Sequence, residues 1–587
     1  MSQLSQFRLK HTPHLFLVCL SILPALVLGA LVLKYSVNVP AWDEWAIGAT
    51  LVKAFEGQLT FNDLIAQHNE SRYLFPRLIY IAFAYITKWN IRYVICFSVL
   101  LSCIISLNLF FLSLKTLANK AQVLFTLFLS NLLIFSTMQF ESWHSGLMLP
   151  NYITIASITG CLALSYANLN ILPKLLLCSV LSTVSTFSFA NGILCWVVFP
   201  PVILLVHPFR SHKEKIWLTF GCLFGFLLTV VIYFYNYTKP GGHPGFLLAL
   251  EQPLGALQYF FIFIGASLGY GELSASTTVG IILIFLFFLS LFYILTTRKN
   301  QVLVYQASGW TFLGIYAFLT SLITTSGRFG FGVEQALYTS RYTTHSIYLP
   351  IALIYLITII INNLSQKYSK SKSILSGCVM LLLIVFTALH TLSYTYGYEH
   401  MLIFGQERLR NKACLLWINL IPEKCLTKYV NPALGYLSKT ANDLNKLGFL
   451  QPGLIQTKKL QHIQGKPELE AGQYGYFEAL EKSPNGDYVA RGWAILPSKQ
   501  EIAHAVLLAY EQSDGSAIAF AISEQRDERK DVVKFLKNSA YLRSGWEKSF
   551  PASRLPKGNT QVSAWSFDAE TGQAFRLQGL HGIDAEP

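Results

Sequence analysis

The sequence predicts an α-helical membrane protein of many spans that carries a soluble, β-rich C-terminal domain. Three observations predict it. Only 13% of the residues are charged while 53% are hydrophobic; an ordinary soluble domain has about 25% charge, and the mean hydropathy is +0.43. The apolar residues gather in long runs before residue 397. The net charge of +14 is equally uneven: residues 1–396 hold 22 Lys/Arg against 10 Asp/Glu, and residues 397–587 hold 23 against 21. An acid-poor, apolar first part with scattered basic residues is the pattern of membrane loops, and it excludes a nucleic-acid-binding surface. The composition also excludes a disordered or fibrous chain.

Runs of about 18 or more apolar residues read as transmembrane helices. They fall near 14–34, 92–114, 121–138, 147–167, 175–189, 191–206, 216–236, 276–297, 302–325, 347–363 and 373–393. The run 175–206 is too long for one span, and Phe189-Ala190-Asn191-Gly192 breaks it into a tight helical hairpin. The first run, Leu15 to Leu33, is longer than a secretory h-region and is read as a retained anchor. With the N-terminus inside, the inner loops collect Arg8, Lys10, Lys115, Lys120, Lys174, Arg210, Lys213, Lys215, Arg298, Lys299, Lys367, Lys370 and Lys372, with Glu214 as their one acid. The other acids of the first part then lie outside, as does everything after residue 396. This satisfies the positive-inside rule. Counting 73–88 or 255–270 alone as a span would invert the later loops, so both are expected to be interfacial or re-entrant. The domains are therefore a membrane domain 1–396, a helical connector 397–470 and a β-sandwich 471–587.

Chemistry concentrates in the first outer loop. After the first span the chain reads Val39-Pro40-Ala41-Trp42-Asp43-Glu44-Trp45, followed by a helix to about Phe55 and a short helix at 61–65. Acids beside indoles at a membrane mouth stand where a raised carboxyl pKa suits a general base. Asp43 could equally N-cap the helix and Glu44 favour its positive end. Next comes His68-Asn69-Glu70-Ser71-Arg72-Tyr73-Leu74-Phe75-Pro76-Arg77, which reads as a polar turn entering the interfacial segment. Glu141, in Gln139-Phe140-Glu141-Ser142-Trp143, lies in the second outer loop. Two further arginines share a late outer loop, in Gly327-Arg328-Phe329-Gly330 and Tyr338-Thr339-Ser340-Arg341-Tyr342. Arginine keeps its charge and its fork matches phosphate oxygens; a headgroup-seeking arginine is the plainer alternative. The glycines of 327–332 follow no strand and are not a nucleotide fingerprint.

An acidic pair after the first span, a long outer loop with amphipathic helices and a Pro-containing apolar segment ending in Ile91-Arg92 resemble the GT-C glycosyltransferases. The resemblance covers residues 10–395 as an architecture. It implies an integral-membrane enzyme that takes a sugar from a polyprenyl-phosphate carrier and displaces the carrier with inversion. It implies a first-loop carboxylate as base (Asp43 first, Glu44 second) and a second-loop acid, here Glu141 where Asp is commoner. His68, Asn69, Glu70, Arg72, Arg77, Arg328, Arg341 and Tyr342 become the substrate-binding candidates, with Arg341 on the carrier phosphate. No Cys/His cluster has metal spacing; a divalent cation (Mg or Mn) is compatible with the chemistry without being required by a monophosphate donor. The expected partners are the lipid-linked sugar, a glycan, lipid or protein acceptor, and the bilayer, with no nucleic acid; the expected place is a bacterial inner membrane with the tail in the periplasm. The competing readings are a lipid-linked sugar transporter or flippase, a polysaccharide polymerase or ligase, and a receptor anchored by its spans.

In the tail, residues 397–470 read as helical with a stop at Leu447-Gly448 and a turn at Pro452-Gly453. Cys414 and Cys425 are expected to form a local disulfide if the tail is exported. From about 472 the period becomes two. Strands are expected at 476–480, 488–495, 503–510, 517–522, 561–567 and 574–577, with an Asn485-Gly486 hairpin turn and a helix near 529–537. Such spacing predicts a small sandwich. Trp493, Trp546 and Trp565 are read as core residues, with stacking on sugar rings as the alternative.

Overall fold

The computed structural model describes residues 2–368, 372–426, 433–466, 473–523 and 526–585. Lys370 and the expected boundary at 470/471 lie outside them. The chain divides into two compact units. The first comprises 1–36, 59–80 and 92–404; the second comprises 37–58, 81–91 and 405–587.

Among the described residues nine helices are long and apolar enough to cross a membrane, from Leu15–Tyr35 to Lys372–Leu416. Each coincides with an expected span. The other two expected spans are the shorter helices Ile171–Thr186 and Ala190–Val206, separated by the anticipated break: Thr186 ends one helix and a 3-10 turn over Ala190–Leu194 begins the next. The two segments set aside as interfacial are helices Leu74–Thr87 and Pro253–Gly265. At 1.5 Å per residue these two and the helices of the 171–206 hairpin all reach about 20–25 Å, so length does not separate the expected spans from the expected interfacial segments. Pro253–Gly265 packs backbone to backbone on Leu273–Thr296. A Cβ on Gly265 would sit 1.9 Å from the Ser276 carbonyl, and one on Gly280 1.9 Å from that of Phe261. Only glycine at both points allows so close a crossing.

Side-chain caps set several boundaries. Asn119 accepts from the Ala121 N–H, Asn300 from Leu303 and Ser211 from Glu214, each relieving an orphan donor of a first turn. Deep in the first unit Trp310 stacks on Tyr355 at 3.5 Å and donates its indole N–H to Thr116 at 3.0 Å.

The strands are β1 (Gln67–His68) and β2 (Ser71–Arg72) in the first unit, then β3 (Gly475–Lys482), β4 (Tyr488–Leu496), β5 (Glu501–Ile502), β6 (Ala505–Glu511), β7 (Ala517–Ser523), β8 (Gly545–Phe550), β9 (Gly558–Asp568) and β10 (Gln573–Ala585) in the second. β3 to β10 form a single eight-stranded sheet in the order β5-β4-β3-β10-β9-β6-β7, with β8 also on β4. The sandwich's two apolar layers therefore form on the two sides of one continuous sheet, because a parallel pairing of β10 with β3 joins the strands. One layer gathers Phe477, Val506, Leu508, Trp546, Val562 and Ala564. The other takes the alternate residues Leu507, Trp565 and Phe567 and covers them with Leu416, Trp417 and Ile421. The period of two thus places apolar residues on both faces of the central strands. Trp493, Trp546 and Trp565 are all buried, as their core reading required.

The Asn-Gly turn is present, with Gly486 at φ 91°, where glycine carries no steric penalty. β5 and β8 were not expected: β5 has two residues, and β8 reads Gly-Trp-Glu-Lys-Ser-Phe with a weak alternation. Cys414 and Cys425 form the expected disulfide. Near the sheet's end, burial alone would raise the Asp568 carboxyl, but contacts with His504 at 3.2 Å and Lys499 at 2.7 Å outweigh it and hold it well below the usual carboxylate range.

Candidate functional site

In the first unit the polar run after residue 66 folds as a miniature hairpin. β1 and β2 pair with His68 opposite Ser71, so Asn69 and Glu70 make the turn, and Asn69 takes the left-handed φ of 48° that Asn tolerates. The hairpin is pinned to the end of helix His212–Phe234. The Gln67 amide donates to the Thr238 carbonyl at 2.6 Å and accepts from the Thr238 N–H at 3.2 Å, while the Tyr233 hydroxyl donates to the Glu70 carbonyl at 2.6 Å. The His68 ring lies 5.0 Å from that of Tyr73.

Two of the candidate arginines serve this scaffold. Arg72 is buried and donates to the carbonyls of Tyr233 at 2.6 Å, Ile65 at 3.1 Å and Tyr235. These include carbonyls at the C-terminal end of a helix, where a cation is favoured. Arg77, also buried, donates to the carbonyls of Leu64 and Ala66 at the end of helix Phe61–Ile65, at 2.9 and 2.5 Å.

The other two arginines meet the candidate acids. Arg328, at the end of helix Gln301–Arg328, donates to Glu70 Oε1 at 2.7 Å across 258 residues of chain. His243 completes a triangle, 3.2 Å from Arg328 Nη1 and 3.9 Å from Glu70 Oε2. Arg341 lies 3.6 Å from Glu141 Oε1, its backbone N–H donates to Glu141 Oε2 at 3.0 Å, and the Glu141 N–H donates to Ser340 Oγ at 2.9 Å. Tyr342 stacks on Phe263 at 5.4 Å, and the Arg341 guanidinium lies 5.7 Å from the Tyr342 ring. The Tyr259 hydroxyl, one turn before Phe263, donates to Gln335 Oε1 at 3.0 Å. Two carboxylate–arginine pairs, backed by an aromatic wall, thus stand at the ends of apolar helices. No Asp or Glu among the described residues of this unit is buried.

In the second unit the acid pair separates into two environments. Asp43 precedes helix Glu44–Phe55 at the N-cap position but makes no capping hydrogen bond with its side chain; it is exposed. Glu44 is 1% exposed, and its Oε2 accepts from the Ala41 N–H and from Arg408 Nη2, both at 2.8 Å. Trp42, immediately before them in the turn, is exposed and holds a left-handed φ of 52°.

Sequence reasoning missed His243 and Arg408. His243 lies in the turn-rich stretch Pro240-Gly-Gly-His243-Pro244, which reads as a plain loop. Arg408 lies 364 residues from Glu44; the one available signal was the charged run Glu407-Arg408-Leu409-Arg410 near the end of a 45-residue helix whose first half is apolar. Among the described residues no three His, Cys, Asp or Glu side chains converge as metal ligands.

No family model matches the chain, and no curated protein matches it. Two solved structures of the oligosaccharyltransferase of Archaeoglobus fulgidus are similar to it. One is AglB in complex with an inhibitory peptide and a dolichol-phosphate, at 12% identity over 75% of this chain and 60% of that chain, with a TM-score of 0.36. The other is a complex with Zn and sulfate, at 13% identity over 77% and 59%, again with a TM-score of 0.36. This chain spans about three fifths of their length.

Proposed function

We propose that the chain is a membrane glycosyltransferase of the GT-C type that moves a sugar from a polyprenyl-phosphate carrier to a glycan, lipid or protein acceptor outside a bacterial inner membrane. The observation that carries the reading is the pairing of residues selected from separate loops for acid and phosphate chemistry: Glu141 with Arg341, and Glu70 with Arg328. Arginines at the ends of apolar helices are where a lipid phosphate is met, and the neighbouring carboxylates hold their forks in place.

The reaction is an inverting displacement. An acceptor hydroxyl attacks the anomeric carbon, its O–H proton passes to the Asp43 carboxylate, and the bond from that carbon to the phosphate oxygen breaks with its electron pair on the phosphate. Arg341 receives that charge, so no general acid is needed. Asp43 is preferred to Glu44 because it is exposed, whereas Glu44 is buried on Arg408. Glu141 orients Arg341; His68, Asn69, Glu70, Arg328 and Tyr342 line the substrate path; Arg72 and Arg77 hold the scaffold. A transporter would be expected to bury acids within its spans, and the described residues of the first unit bury none.

The test is a surface-glycan mass profile of a deletion strain complemented with wild type, Asp43→Asn or Arg341→Met, at matched membrane abundance. Wild type should restore a sugar-sized mass, and each variant should lower the restored fraction by about a hundredfold, the scale of a lost base or charge-stabilising group. Full restoration by Asp43→Asn removes the base assignment. A deletion strain with no mass change removes the transferase reading.

A further inference from the structure

The chain keeps a buried ion pair beside the exposed acid, and the turn that carries both acids has an unusual shape. Ala41, Trp42, Asp43 and Glu44 make one tight turn, closed by the Glu44 N–H on the Ala41 carbonyl at 3.1 Å and by the Trp45 N–H on the Trp42 carbonyl at 3.2 Å. Within it Trp42 is held at φ 52°, a left-handed conformation that bulky residues rarely adopt and that persists only when the surroundings enforce it. The enforcing contact is on the same four residues. The Glu44 carboxylate turns back over the turn and takes the Ala41 N–H on Oε2, and the same oxygen takes Arg408 Nη2. Glu44 and Arg408 are both under 5% exposed, so each charge, taken out of water, is stabilised by the other. A neutral side chain at 408 would remove the Nη2 contact from the oxygen that also holds the Ala41 N–H.

We infer that Arg408, acting through Glu44, is a positioning residue for Asp43: the ion pair holds the strained Trp42 turn and thereby presents the Asp43 carboxylate to the acceptor. The inference rests on the reading of Asp43 as base. It also assigns Glu44 a fixed role, since its carboxylate is engaged by the Ala41 N–H and Arg408 and holds the turn. Arg408 touches no substrate in this scheme. Its effect passes through the backbone of residues 41–44, and that gives it a signature that simple destabilisation lacks. Glycine adopts left-handed φ without penalty, so with Trp42→Gly the turn no longer needs enforcement and Arg408 should matter much less.

The experiment is a double-mutant cycle on the full chain in the complemented deletion strain. Its readout is the rate at which the sugar-sized mass appears after induction, normalised to membrane abundance. Arg408→Gln should slow that rate by roughly tenfold or more, and Arg408→Lys, which keeps the charge, should stay within about threefold of wild type. In the Trp42→Gly background the penalty of Arg408→Gln should shrink to less than about threefold. In parallel, purified protein in detergent is labelled with a water-soluble carbodiimide and glycine ethyl ester and mapped by mass spectrometry. Wild type should label Asp43 and spare Glu44, and Arg408→Gln should raise Glu44 labelling at least fivefold. An equal Arg408→Gln penalty in both backgrounds, or unchanged Glu44 labelling, overturns the positioning role. Asp43→Asn runs alongside: if it keeps full activity the base reading fails, and if it is inactive while the cycle is additive only the positioning inference fails.

Discussion

Arg72 and Arg341 look alike as letters in the sequence, yet their surroundings assign them opposite work. Arg72 is enclosed by three carbonyls, and hydrogen bonds from a charged donor contribute about 1.5–3 kcal/mol each. Arg72→Met should therefore cost about 3 kcal/mol or more of stability, read as a lower unfolding midpoint and faster proteolysis of the purified protein. Any activity lost should follow the amount of folded protein. The Arg341 side chain is 44% exposed and its pair with Glu141 spans 3.6 Å, a contact that contributes under about 1 kcal/mol. Arg341→Met should leave the unfolding midpoint within experimental error. Such a division was illegible beforehand, because which arginine meets carbonyls and which meets a carboxylate depends on where distant helix ends arrive.

Several elements follow local rules and were legible. The break at 189–192, the short helix at 61–65 closed by a Thr60–Asp63 capping box and the Asn485-Gly486 turn all lie where turn and cap chemistry puts them. The hairpin at 67–72 was not: it has one pair of residues on each strand and depends on Gln67, Ser71 and Tyr233 meeting partners elsewhere in the first unit. In the second unit the last residues of helix Lys372–Leu416, from Gly405 on, lead into the Cys414–Cys425 loop. That loop holds Glu423, which is buried against Lys548 at 2.9 Å and Arg554 at 2.5 Å. Closing a loop of this length contributes about 3 kcal/mol in the chain-entropy account. Reductant, or the pair Cys414→Ser and Cys425→Ser, should lower stability by that order in a denaturant titration. An unfolding curve insensitive to reductant would show that packing and the Glu423 ion pairs hold the loop without the disulfide.

At the scale of the whole molecule, the basic residues of the first part predict one orientation. A periplasm-active reporter fused after Lys299 should be silent, and the same reporter fused after residue 396 should be active; the reverse result would place the tail and the candidate acids on the cytosolic side. The prediction depends on neither Leu74–Thr87 nor Pro253–Gly265 crossing the bilayer alone.

By itself the sequence determined the class of molecule, every long apolar helix, the period-two strands of the tail and the disulfide. Each of these is set within a window of a few to twenty residues by hydropathy, periodicity or turn chemistry. Tertiary structure alone decided which charges meet. Glu44 finds Arg408 across 364 residues, Glu141 finds Arg341 across about 200 and Glu70 finds Arg328 across 258. Such pairs carry no periodic signal, because an ion pair depends on the positions of two side chains in space and not on their separation along the chain.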